Sequence, residues 1–350
     1  MNDAFEKLAR ALDLLPGAFP KTESGSELQI LKKIFSPEEA HVAGNMSGTS
    51  ETVDIIAERA GQPEAEAETV LRSMARRGII WAAKKDGARN YRLAPFIVGI
   101  WEEQWETMDH DLAHLCEHYF MEGGIAGIMR PSPAVNRVVP AQQAIKTEII
   151  MPYDDIKALL MQAKRFGLRD CICRKQQDLV DKRKCDFPLS VCLNFTTAEG
   201  PARPHDISRE EALKIIDQAE EIGLVHTVNN VVKGVFYVCN CCGCCCGILR
   251  GITEFGVENS VAKANYYAVV DEDLCTVCGI CEDRCQVGAC SVGDMAVIDL
   301  AKCIGCGICV TGCPGEAIRL ELRPDAEIIH PPENPREWEE QRLRHRGLLK

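Results

Sequence analysis

Cys275-Thr276-Val277-Cys278-Gly279-Ile280-Cys281-Glu282-Asp283-Arg284-Cys285 and Cys303-Ile304-Gly305-Cys306-Gly307-Ile308-Cys309-Val310-Thr311-Gly312-Cys313-Pro314 are two copies of one pattern, Cys-x2-Cys-x2-Cys-x3-Cys. Both contain Cys-Gly-Ile-Cys, at 278–281 and 306–309. Two-residue spacers let a looping backbone bring three thiolates to three irons of one cubane. The fourth cysteine begins a helical turn that points away and completes the other cluster. The spacing therefore predicts one [4Fe–4S] cluster on Cys275, Cys278, Cys281 and Cys313, and a twin on Cys303, Cys306, Cys309 and Cys285. Cys-x2-Cys pairs also hold zinc, but two complete runs with this crossing favour iron.

Strands Ala268-Val269-Val270 and Ile318-Arg319-Leu320 are expected to pair beside the clusters. Over about residues 266–322 the chain resembles bacterial two-cluster ferredoxins, and this resemblance implies electron transfer. Gln286 stands where the first run of those proteins usually continues with proline. Cys290 takes the place of Ile318 in the second repeat and reads as a buried apolar thiol, not a ligand.

Of the 20 cysteines in 350 residues, nineteen fall between Cys171 and Cys313, and only Cys116 precedes them. The opening residues Met1–Lys7 have no basic stretch leading into an apolar one, and no apolar run is long enough to span a bilayer. So many thiols in a chain of this size point to metal ligation in a reducing cytoplasm, not to a disulfide scaffold. The net charge of -12 argues against nucleic acid or an anionic membrane as main partner. It suits docking of redox partner proteins through an acidic surface.

Upstream lie Cys171-Ile172-Cys173-Arg174, then Cys185 and Cys192. Those four thiolates can complete a further cubane, with Arg174 and Lys175 offsetting its charge. Next comes Cys239-Asn240-Cys241-Cys242-Gly243-Cys244-Cys245-Cys246. Adjacent side chains diverge, so the six cysteines of this run cannot all face one cluster. Cys239, Cys242 and Cys245 have the spacing that wraps a cubane, with Cys241, Cys246 or a thiol of the first segment as fourth ligand. Ten thiols suit two more cubanes, four in all. A single shared cluster or a zinc site is the alternative.

The pattern as a whole predicts an α+β protein. Residues 1–26 read as an N-terminal arm or a frayed helix and 27–95 as helices followed by a hairpin through Asp86-Gly87. Residues 96–261 form a helix-rich cysteine domain, 262–325 the two-cluster domain, and 326–350 a charged tail that reads as a surface helix. Helices are expected over 97–121, buried through Trp101, Trp105, Met108, Leu112, Leu115 and Tyr119, and over 153–166, stopped by Gly167. Residues 27–95 resemble a winged helix-turn-helix domain. Over nearly its whole length the chain resembles a group of dicluster ferredoxin-like proteins of anaerobic bacteria. They share the winged-helix-like front, a Cys-x-Cys-Arg segment and a Cys-Asn-Cys-Cys-x-Cys-Cys-Cys segment.

Lys84, Lys85, Arg89 and Arg92 on the wing could grip phosphates, but Glu64, Glu66 and Glu68 open the presumed recognition helix and would repel DNA. A docking role, or dimerisation through this domain, is favoured. His110, His114 and His118 read as a solvated face, and His226 and Asn230 as structural. No Gly-x-Gly-x-x-Gly or Gly-x4-Gly-Lys motif supports a nucleotide or flavin site. The expected function is relay of single low-potential electrons between partners. A redox-sensing DNA-binding regulator and a catalytic iron–sulfur subunit are the alternatives.

Overall fold

The computed structural model describes residues 2–85, 87–145 and 150–350. Helix and strand are mixed, an α+β fold, in two units each built from separate stretches of chain. One comprises Met1–Pro131, Lys175–Lys182 and Glu339–Lys350, the other Ser132–Arg174 and Arg183–Trp338.

The first unit begins with α1 (Asn2–Asp13), where an arm or a frayed helix was expected. Phe5, Leu8 and Leu12 recur at helical spacing and are buried, so the segment is part of a core. Then come α2 (Ser26–Ile34), α3 (Pro37–Ala43), β1 (Glu51–Thr52), α4 (Val53–Ala60) and α5 (Glu64–Arg76). A capping box of Ser36 and Glu39 starts α3, and Ala67, Val70, Leu71 and Met74 form the buried stripe of α5. The hairpin β2 (Ile80–Lys85) and β3 (Ala88–Leu93) is antiparallel in the register Ile80↔Leu93, with β1 on its β3 edge. Its turn residue Asp86 lies outside the described residues.

The helix expected over 97–121 is interrupted. Ile97, Val98 and Gly99 are non-helical, and the Glu102 carboxylate accepts from Gly99 N at 2.7 Å. The helical run restarts as α6 (His110–Met121), because Asp109 caps it by accepting from Leu112 N at 2.8 Å. α7 (Gly124–Met129) follows. The last helix, Pro335–His345, was expected on the surface. Within this unit its Arg342 is instead fully buried, donating to the carbonyls of Pro16, Ile128 and Pro131 at 2.7–2.8 Å.

The second unit contains β4 (Asn136–Val139), α8 (Ile156–Met161), β5 (Arg165–Asp170), the start of α9 (Ile172–Leu179), β6 (Ser190–Thr196), β7 (Asp206–Ile207), α10 (Arg209–Ile222), β8 (Val225–Asn229), β9 (Tyr237–Cys241), α11 (Gly247–Thr253) and β10 (Val261–Ala262). Its strands form one sheet in the order β10-β4-β8-β9-β6-β5-β7. All the pairs are antiparallel except β10 with β4. Ile156, Leu160, Ala212 and Ile216 from α8 and α10 pack on Phe166, Leu193, Val228 and Val238 of the sheet. Only part of 153–166 is therefore helical. Gly167, expected to end that helix, lies within β5 opposite Asn194, whose Oδ1 would stand 2.2 Å from any Cβ there. The helix α10 has the expected ends, a Ser208–Glu211 capping box and Gly223 at φ 94°.

The same unit ends in β11 (Tyr266–Val270), α12 (Ile280–Arg284), β12 (Cys290–Val292), β13 (Ala296–Ile298), α13 (Ile308–Thr311) and β14 (Ile318–Leu322). β11 pairs with β14 in the register Ala268↔Leu320, as expected, and β12 with β13. Among the described residues no helix is long and apolar enough to cross a membrane.

Candidate metal centres

The two cysteine runs are conformational copies. In each, the second cysteine is followed by a left-handed glycine that starts a short helix, Gly279 before α12 and Gly307 before α13. The residue before that cysteine is also left-handed, Val277 at φ 55° and Gly305 at φ 71°. Only glycine fits the second copy, because a Cβ on Gly305 would meet Tyr266 O at 2.3 Å. The fourth cysteine of each run accepts a backbone N–H four residues on, Ala289 N to Cys285 Sγ at 3.1 Å and Ala317 N to Cys313 Sγ at 3.3 Å. Hydrogen bonds to the sulfurs are one lever by which a protein tunes a bound cluster.

Cys275, Cys278, Cys281 and Cys313 line a single small cavity, walled by Val292, Ala296, Ala317 and Ile318. Burial pushes the Cys306 thiol up to about 12, with the charges of Cys285 and Cys303 adding to the effect. Cys309 is raised by burial and then by Cys306, Cys303 and Cys285. Cys313 thus sits with the first run, and the charge of Cys285 is felt by Cys306 and Cys309 of the second. An apolar-walled hollow ringed by four sulfurs fits a cubane. Cys290 is buried opposite Ile298, and burial raises its thiol, followed by contact with Cys281.

Residues 296–319 match the 4Fe-4S binding domain. That match spans Cys303, Cys306, Cys309 and Cys313, and with the cysteine geometry it makes the chain an iron–sulfur protein with [4Fe–4S] cofactors. No curated protein and no solved structure matches the chain.

The ten central thiols fall into two groups that differ from the pairing expected from spacing. In β9, Cys239 and Cys241 alternate with Asn240 and so share a face. They group with Cys171, Cys173, Cys192 and Cys246, thiols that shift one another's ionisation pair by pair. Cys173 and Cys192 lower the pKa of Cys171, Cys173 and Cys241 lower that of Cys246, and Cys192 and Cys241 raise that of Cys239. Cys185, expected with Cys171, Cys173 and Cys192, instead meets Cys242 and Cys245, each at 3.8 Å. Cys244, which the spacing did not select, completes this second group. Divergence of neighbouring side chains holds in a strand but not in the turn at 243–245, where Cys244 and Cys245 Sγ lie 3.5 Å apart. Gly243 was the local signal for that turn.

Arg174 serves both groups. Burial opposes its charge, yet Cys171, Cys242 and Cys192 outweigh that and hold its pKa above the ordinary value. Its Nη1 donates to Pro188 O and Nη2 to Asn240 O, while its buried Nε has no hydrogen-bond partner. An anionic thiolate site fits an orphaned cationic donor of this kind. Hydrogen bonds from Cys244 and Cys245, aided by Arg174, bring Cys242 down to about 2. Lys175 takes no part, since it donates to Trp105 O at 2.5 Å.

The unusual Gln286 now has a structural reason. Its Oε1 accepts from Gly243 N at 2.8 Å, and its Nε2 donates to Gly223 O at 3.0 Å. No proline could do both. A Cβ on Gly243 would stand 2.0 Å from Gln286 O, so the cysteine turn lies directly on the backbone beside Cys285. Arg284 adds bonds to the carbonyls of Glu220, Glu221 and Ile308. His226 is buried between Asn240 Oδ1 at 2.6 Å and Glu220 Oε1 at 3.2 Å, and Asn230 donates to Ala134 O. His110, His114 and His118 are exposed on α6.

Proposed function

We propose that the chain relays single low-potential electrons between redox partner proteins, from an exposed entry at the first cysteine run to the buried central thiols. A bound [4Fe–4S] cluster supplies reversible one-electron transfer, and the residues described above set where its ligands lie. The continuity of the ligand sets carries this reading. Cys278 is exposed, Cys285 is bonded in sequence to Gln286, and Gln286 is hydrogen-bonded to the turn that bears Cys242 and Cys244. The group of six central thiols offers the four thiolates that a third cluster takes.

The entry face supports a partner of definite chemistry. Leu274, Val277 and Ile280 are exposed around Cys278, and Glu272, Asp273, Glu282 and Asp283 are exposed beside them. An apolar spot with an acidic rim suits a partner carrying an apolar spot with a basic rim. A DNA-binding role has less support. Arg92 is held by Glu339 at 2.7 Å and stacks on Trp81, Arg72 is paired with Glu68, and Glu64 and Glu66 stand exposed at the start of α5.

The reading is tested by reducing the full-length protein and following its oxidation by cytochrome c, a basic one-electron acceptor. The rate should fall with salt, and fall at least tenfold when Glu272, Asp273, Glu282 and Asp283 are changed to Lys. An unchanged rate with cluster content intact would move the entry point elsewhere. A protein that cannot be reduced by one-electron donors would end the relay reading.

A further inference from the structure

The four sulfurs of Cys185, Cys242, Cys244 and Cys245 are too close together for a cubane. Four of their separations are 3.8, 3.8, 3.8 and 3.5 Å, and all lie within 4.8 Å. A cubane carries each thiolate on a different iron, which keeps the sulfurs well apart. A single tetrahedral ion with metal–sulfur bonds of about 2.3 Å has sulfur–sulfur edges of about 3.8 Å. The molecule contains its own control. Among the described residues, no other three thiols, imidazoles or carboxylates converge within 4.8 Å, so the eight cysteines of the ferredoxin-like runs are held at wider spacing.

The second observation is how firmly this set is built. Cys242, Cys244 and Cys245 come from one tight turn, closed by Cys246 N donating to Cys242 O at 3.1 Å. Cys185 arrives from a distant loop that Arg183 folds by donating to the carbonyls of Cys185 and Phe187 at 2.8 and 2.5 Å. Disulfides do not explain the proximity, since a bonded pair would stand near 2.05 Å and all four are free thiols. Cys242 and Cys245 are buried, while Cys185 and Cys244 are half-buried. The set is therefore partly shielded from water.

From this geometry we infer that Cys185, Cys242, Cys244 and Cys245 bind one tetrahedral divalent transition-metal ion, zinc or iron, at a site separate from the [4Fe–4S] clusters. Four thiolates around a divalent ion leave a net charge of -2, which the neighbouring Arg174 partly offsets. The ion would fasten the 183–189 loop to the 242–246 turn beside Gln286. Zinc would make this a fastening alone, whereas iron would add a one-electron centre.

Metal and acid-labile sulfide analysis of the anaerobically purified full chain tests the inference, together with X-ray absorption at the zinc and iron edges. The site should appear as about one ion per chain with four sulfurs near 2.3 Å and no metal–metal vector. Zinc absorption identifies the first ion, and a mononuclear high-spin iron signal the second. Cys185→Ser should lose that ion with sulfide unchanged. Loss of about four irons with matching sulfide in Cys185→Ser would show a cubane and overturn the inference. If Cys185→Ser does not fold, the wild-type spectra decide alone. Absence of any mononuclear all-sulfur component there would likewise overturn it.

Discussion

The C-terminal and central cysteines are equally dense in the sequence but organised in opposite ways. Each C-terminal run is a local loop. Three of its cysteines come from seven consecutive residues, and only the fourth is expected to cross to the other copy. The central ten come from β6, β9, the start of α9, the loop around Cys185 and the 242–246 turn, and nothing closer than the sheet unites them. Sulfur contacts there depend on strand register, as when β6 meets β9 at Leu193↔Val238 and brings Cys192 beside Cys239. Spacing encodes a local site directly. It encodes a tertiary site only through the fold.

The largest expected effect tests the crossing. Cys285→Ala should remove about four irons and abolish the signal of the cluster on Cys303, Cys306 and Cys309. Loss confined to the cluster of its own run would break the first half of the comparison. Arg174→Met comes next, because it leaves several buried thiolates without their cation. We expect a stability loss of about 3–5 kcal/mol by chemical denaturation, with partial recovery in Arg174→Lys. A neutral Arg174→Met would mean that the central thiols carry no net charge.

Two changes address the join between the regions. Gly243→Ala places a Cβ 2.0 Å from Gln286 O and should cost about 1–3 kcal/mol. Gln286→Pro removes two hydrogen bonds at about 0.5–1.5 kcal/mol each. In both, iron content should survive while electron transfer between a cluster on the central thiols and those of the ferredoxin-like runs slows, measured by flash reduction. Unchanged rates would show that the regions work independently. The smallest effect is expected from Lys84→Ala with Arg89→Ala. Duplex DNA binding by fluorescence anisotropy at physiological salt should be weak before and after, and tight sequence-selective binding lost on mutation would restore the regulator reading.

Much of the secondary structure was legible because its signals are local. The stripe of α5, the caps of α10 and the pairing of β11 with β14 follow from periodicity, Ser208, Gly223 and the flanking strands. The misreadings share one cause. Gly167 resembled a helix stop because glycine does end helices, yet here its missing side chain makes room for Asn194 across the sheet. The charge of the last segment made its helix look solvated, and the carbonyls that Arg342 meets far away in sequence show why that residue is not. Gln286 looked like a lapse from the ferredoxin pattern until its partners, Gly243 and Gly223, were seen. In the candidate site, spacing proposes a grouping for the eight C-terminal cysteines, and Cys313 does line one cavity with Cys275, Cys278 and Cys281. Cys244 could not be grouped from spacing, because it depends on a turn and on Cys185 arriving from another segment.

The central claim is that two crossed ligand sets hold neighbouring [4Fe–4S] clusters that pass single electrons. Electron paramagnetic resonance of the anaerobically purified, fully reduced chain tests it most directly. Two reduced clusters within one small module should give a broad, split signal of interacting spins, integrating to about two per chain for residues 262–325. A single isolated cluster signal, or a diamagnetic zinc-loaded module, would contradict it.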